Sequence, residues 1–101
     1  MKMLFSAEFP LEPFNTLTRN GSVGKVLSSI LEDLKPEAAY FTEQDGKRGC
    51  FLVVEVAGAA DITRIAEPFF LKCGAECRFR IMMTPKDLAG AGLEALGKKW
   101  A

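Results

Sequence analysis

The acidic, basic and phenolic side chains able to do chemistry fall in short runs with the look of strands. Glu8 lies in KMLFSAEF, Tyr40 and Thr42 in AAYFTE, Glu55 in the apolar run CFLVVEV, and Arg78 and Arg80 in ECRFRIMM. Paired arginines suit an anion such as a carboxylate, because guanidinium donors can meet it two at a time. A carboxylate or phenol close by can move a proton to or from a bound molecule. Glu55 stands apart from the others, since a carboxylate inside an apolar strand is costly if buried alone. It needs a partner, a proton or a wet cavity. Glu55 and Tyr40 are therefore the candidate catalytic groups, and Glu8, Arg78, Arg80, Ser6 and Thr42 the candidate ligand-binding ones.

The sequence contains no histidine. That excludes Ser-His-Asp and Cys-His catalysis, imidazole base work at neutral pH and every histidine-containing metal site. Cys73 and Cys77 form a C-x3-C spacing that no second pair completes, so no metal is expected. Cys50 and Cys77 read as small core residues, and all three cysteines as reduced thiols. Gly21 and Gly24, like Gly90 and Gly92, are not fed by a strand as a phosphate-binding loop would be. No cofactor is expected.

The elements that must position these residues belong to a chain of 101 residues, 49% apolar and 26% charged, which is the size and composition of one globular domain spanning 1–101. Thirteen basic residues balance thirteen acidic ones. No net field draws in nucleic acid or an anionic membrane, and neither is expected as a partner. Glu8 and Pro10 cut short any signal-peptide core, and no apolar run approaches the ~18 residues of a membrane span. The expected location is the cytoplasm.

Period-two alternation marks a strand over Lys2 to Phe9. Val23, Val26, Leu27, Ile30, Leu31 and Leu34 repeat at helical spacing, and Pro36 stops that helix. A shorter helix beginning near Pro13 precedes it, broken at Asn20-Gly21. Ala38 to Glu43 and Cys50 to Ala57 form a hairpin across a Gln44–Gly49 turn. A helix follows Asp61 through Ile62, Ile65 and Ala66, and Pro68 is expected to kink or end it. Ala75 to Met83 gives a fourth strand. Thr84-Pro85-Lys86-Asp87 is a capping-box pattern that opens one last helix toward Leu96.

This order, βαββαβ with an extra C-terminal helix, predicts an α+β fold of ferredoxin-like type, a four-stranded antiparallel sheet with helices on one face. Its four strands resemble the dimeric α+β barrel proteins, which include cofactor-independent monooxygenases, small isomerases, decarboxylases and stress proteins. The stretches PEAAYFTEQDGKRG, AEPFF and MTPKDLAGAGLEALGKKW also resemble a family of uncharacterised small bacterial proteins, nearly end to end. Some members of that family bear a pantothenate synthetase label. This chain lacks the size and the histidines of that ATP-dependent ligase.

Alternation sends half of each strand's side chains away from the helices. Met3, Phe5, Ala7, Phe9, Cys50, Leu52, Val54, Val56, Cys77, Phe79, Ile81 and Met83 fall beneath them. The open face carries Leu4, Ser6, Glu8, Tyr40, Thr42, Phe51, Val53, Glu55, Arg78, Arg80 and Met82. Such a patch needs covering, and a second copy of the chain is the simplest cover. Trp100, the only tryptophan, either frays or anchors the chain end on a neighbour.

Two functional readings follow. The first is a homodimeric small-molecule-binding or cofactor-independent enzymatic domain whose ligand is anionic or aromatic. The second is a structural or regulatory self-association module, in which Glu8 and the arginines are cross-strand ion pairs worth only ~0.2–1 kcal/mol each. On the first reading Glu55 is buried in a pocket, and Glu55→Gln is expected to keep or raise thermal stability while abolishing ligand binding.

Overall fold

The computed structural model describes residues 1–101 in the order β1 (Lys2–Phe9), α1 (Leu11–Arg19), α2 (Val23–Leu34), β2 (Ala38–Gln44), β3 (Lys47–Glu55), α3 (Ala60–Cys73), β4 (Glu76–Ile81), α4 (Pro85–Gly90) and α5 (Leu93–Lys99). The strands pair antiparallel in one sheet ordered β2-β3-β1-β4. β1 is flanked on both sides, and its alternation decides the core. Met3, Phe5, Ala7 and Phe9 point inward beside Cys50, Leu52 and Val54 of β3. They meet Ile30 and Leu34 from α2, and Ile65, Phe69 and Cys73 from α3. Phe5 sits at the centre, its ring centroid 5.0 Å from that of Phe69 and 5.1 Å from that of Phe79. Each ring pair adds ~0.5–1.5 kcal/mol to the burial of its members.

The helix over Val23–Leu34 forms where the apolar spacing places it, and Lys35 in the left-handed conformation ends it just before Pro36. Pro68 does not end α3, which continues to Cys73 and is closed by Gly74 at φ 60°. Proline costs its helix one backbone hydrogen bond. The residues beyond it offset that loss: Phe69 and Cys73 are each 1% exposed in the core.

Two expectations fail at the C-terminal end. β4 stops at Ile81, and Ile81 and Met83 are 63% and 64% exposed where alternation placed them beneath the helices. Ile81 pairs with Met3 at the last position of β4, an edge strand with a neighbour on one side only. The last helix is two helices. The capping box forms as read, with Asp87 N–H donating to Thr84 Oγ1 at 3.0 Å and Thr84 N–H donating to Asp87 Oδ2 at 2.9 Å. Gly92, at φ 74°, then breaks the run between α4 and α5. No helix is long and apolar enough to cross a membrane.

Cys50 and Cys73 are buried and Cys77 is half-buried, none of them in a disulfide. Burial raises the Cys50 thiol from 9.0 to about 12 and the Cys77 thiol from 9.0 to about 11. The neutral thiol is therefore favoured in the native chain, and thiol reagents at pH 8 are expected to label it slowly until it unfolds. Above pH 9 the unfolded chain releases thiol protons that the native chain keeps, so stability falls as pH rises toward about 11. Denaturation midpoints at pH 8 and about 10.5 check this, with a smaller drop expected in the Cys50→Ala, Cys77→Ala double variant.

Candidate functional site on the open sheet face

The helices cover one face of the sheet, and the register assembles polar groups on the other. Leu4 stands opposite Val53 and Arg80, Ser6 opposite Phe51 and Arg78, and Glu8 opposite Gly49 and Glu76. Leu4, Ser6, Glu8, Phe51, Arg78 and Arg80, with Gln44 and Asp45 from the hairpin end, line a recess of about 210 Å³.

Glu8 is the one buried charged residue of the chain, 8% exposed. A carboxylate taken out of water costs several kcal/mol unless cations answer it. Two do: Lys47 Nζ lies 3.1 Å from Oε1 and Arg78 Nη1 lies 3.6 Å from Oε2. Arg78 is shared, reaching Glu76 at 3.4 Å as well. Arg80 enters no ion pair and no side-chain hydrogen bond. Its guanidinium borders the recess with its donors free.

The hairpin supplies groups that sequence reasoning left in a loop. β2 and β3 run right up to a two-residue turn, Gln44 pairing with Lys47 across Asp45 at φ 52° and Gly46 at φ 79°. Positive φ at both central positions is the turn whose twist matches that of the flanking strands. Pairing at this register turns Gln44 and Lys47 to the open face along with Gly49 and Phe51. Gly49 has no side chain, and the Gln44 amide occupies the vacant space, Nε2 donating to the Ala7 carbonyl at 2.9 Å. A Cβ on Gly49 would stand 2.3 Å from that nitrogen. Carrying the alternation through 44 and 47 would have found both residues.

The candidates named from sequence divide. Ser6, Glu8, Arg78 and Arg80 come together around the recess. Glu55, Tyr40 and Thr42 belong to the same face by register but do not line it. Glu55 corrects the expectation of a buried carboxylate: its side chain is 63% exposed and accepts from the Met1 amine. It closes β3 at the sheet's end, where apolar neighbours in sequence do not bring burial in space. Tyr40 is 68% exposed on the edge strand β2. The cross-strand ion pair foreseen for Glu8 forms with Arg78 and leaves Arg80 out.

Larger hollows lie elsewhere, about 390 Å³ between α2 and α3 and about 500 Å³ beside Phe14 and Phe41. Neither gathers a buried charge. No group of three or more His, Cys, Asp or Glu residues converges as a metal site would require.

Gly49→Ala is expected to push the Gln44 amide off Ala7 and cost about 1 kcal/mol, the worth of one hydrogen bond, read as a lower denaturation midpoint. Glu55→Gln is expected to change stability by under ~1 kcal/mol, as for other exposed ion pairs. A large drop on chemical denaturation would contradict that.

No family model matches the chain. No curated protein matches it in sequence. Among solved structures it is similar to the 5-chloro-2-hydroxyhydroquinone dehydrochlorinase TftG from Burkholderia phenoliruptrix AC1100, in complex with 2,5-dihydroxybenzoquinone, with 20% identity and a TM-score of 0.60 over 85% of this chain and 97% of that one. The de novo designed protein Ferredog-Diesel is similar at 13% identity and a TM-score of 0.45, over 80% of this chain and 85% of that one. At such identities the likeness is one of fold. With its βαββαβ order and its β2-β3-β1-β4 antiparallel sheet, the chain has a ferredoxin-like α+β fold.

Proposed function

We propose that the open sheet face binds a small anionic, hydroxylated aromatic or quinonoid molecule in a homodimer of this chain, using its own side chains and no metal or cofactor. The observation that carries this reading is the unpaired Arg80 guanidinium beside the buried, doubly paired Glu8 in one recess. A charged donor set left without a protein partner suits a carboxylate or phenolate, which it can engage through two parallel N–H groups. Leu4 and Phe51 offer apolar contact to a flat ring. Ser6 and Glu8 can accept from its hydroxyls, Glu8 being held in place by Lys47 and Arg78. The similar structure, TftG, was solved with a small planar hydroxyquinone, which supports this class of ligand without transferring that enzyme's reaction. Glu55, Tyr40 and Thr42 belong to the rim of such a site. A base acting on a ligand in the recess would be Glu8.

The second reading, self-association without a ligand, draws support from the size of the recess. About 210 Å³ falls below the ~300–1,000 Å³ of ordinary ligand sites. If a partner's side chains fill it completely, no ligand binds.

Titration of the protein with 2,5-dihydroxybenzoquinone and with benzoate tests the choice. Saturable binding of at least one is expected, weakened about tenfold or more in Arg80→Ala, the loss of a charge-assisted contact, with little change in melting temperature. Absence of saturable binding, or binding indifferent to Arg80, would favour the self-association module.

A further inference from the structure

Every residue from Met83 to Ala101 is exposed. This arm leaves the edge strand at Met82, whose N–H donates to the Lys2 carbonyl at 3.1 Å, and leads away from the sheet. The molecule is consequently 60 Å long against 28 and 19 Å in its other dimensions. Its radius of gyration is 17.1 Å, where a compact chain of this length has about 13 Å. The arm is also apolar along one side. Leu93, Leu96 and Trp100 follow one another at i, i+3 and i+7, a single helical stripe, and are 57%, 44% and 76% exposed. Helices of six and seven residues do not hold in water by themselves. They need a surface to pack on.

We propose that the arm of one copy lies on the open sheet face of a second copy of this chain, its Leu93–Leu96–Trp100 stripe covering Leu4, Phe51 and Val53 and roofing the recess over Glu8 and Arg80. The inference rests on the open face being the functional one. Reciprocal exchange about a twofold axis covers both arms and both faces with one kind of contact.

Three observations select this occupant. The arm is exposed throughout, and Leu4, Phe51 and Val53 on the open face are only half-buried. The recess, at about 210 Å³, is smaller than an ordinary ligand site, and a roof from a neighbour supplies a further wall. The area also suffices. In proportion to length, the arm's share of the 6874 Å² surface is roughly 1,300 Å²; with half of it buried on the partner and a matching area of its own face covered in return, each copy loses roughly 1,300 Å², above the ~800 Å² per partner of a stable interface. The groove between α2 and α3 is the rival berth. It is lined by Val26, Ile30 and Leu71 with Lys25, Asp33 and Lys72 at its rim, so charge does not separate the two berths and substitution must.

Trp100, the single tryptophan, reports directly on the arm. Sedimentation velocity of the full chain across a concentration series is expected to show a dimer, with Trp100 emission shifted to the blue of an exposed indole. Leu93→Glu with Leu96→Glu is expected to give a folded monomer with red-shifted emission, because neither side chain touches the core. Tyr40, 68% exposed and directly opposite Phe51 in the register, lies within the covered patch, and Tyr40→Glu is expected to weaken the dimer about tenfold or more and to red-shift Trp100 in the other copy. Leu71→Glu, in the helix groove and 79% exposed, is expected to do neither. A wild-type monomer, a dimer with solvent-exposed Trp100, or a Trp100 shift on Leu71→Glu but not on Tyr40→Glu would overturn arm exchange. A dimer with buried Trp100 that binds neither the hydroxyquinone nor benzoate upholds arm exchange and counts against the proposed ligand alone.

Discussion

A four-stranded sheet has two faces, and this chain has core-packing helices enough for one. That constraint governs the rest of the structure. β1 lies between β3 and β4, so each of its side chains is committed either to the core or to the open face. Phe5, Ala7 and Phe9 go inward and are at most 1% exposed. Leu4, Ser6 and Glu8 go outward, and the polar site arises from that obligation.

Glu8 shows how a charge is kept in such a position. Its neighbours on the adjacent strands are Gly49 and Glu76, neither of which can neutralise it. The answering cations come diagonally, from Lys47 at the hairpin end and Arg78 two residues along β4. The absence of a side chain at Gly49 lets Gln44 reach across β3 to Ala7, tying the hairpin to the central strand. The same arrangement uses up Arg78 and leaves Arg80 with spare donors. A site that is internally satisfied on one side and unsatisfied on the other has a direction in which to receive an anion.

The open face and the arm are two consequences of one shortage of cover. β4 ends at Ile81 on the sheet's edge, the chain that follows packs on no core, and its apolar stripe is left in water. Exposed apolar surface of this extent is seldom tolerated in a stable monomer. Matching one uncovered surface with the other, across two copies, resolves both without any new element.

Local pattern was sufficient for the element order as far as β4 and for the inward and outward halves of β1 and β3. Strand period, helical spacing, the stop at Pro36 and the Thr84–Asp87 capping box are properties of neighbouring residues, and the sequence by itself determined them. It also determined which side of the sheet bears Glu8, Arg78 and Arg80. What depends on distance along the chain was decided only by the tertiary structure. Glu55 sits among apolar residues in sequence yet is exposed, because β3 ends there beside the Met1 amine. Pro68 should have broken its helix and did not, because Phe69 and Cys73 beyond it are held in the core. Lys47 and Gln44 looked like loop residues until pairing carried both strands up to Asp45-Gly46 and turned them toward Glu8. Burial and ion pairing are set by which strands end, and which run on, in three dimensions, and periodicity within a single segment carries no information about that.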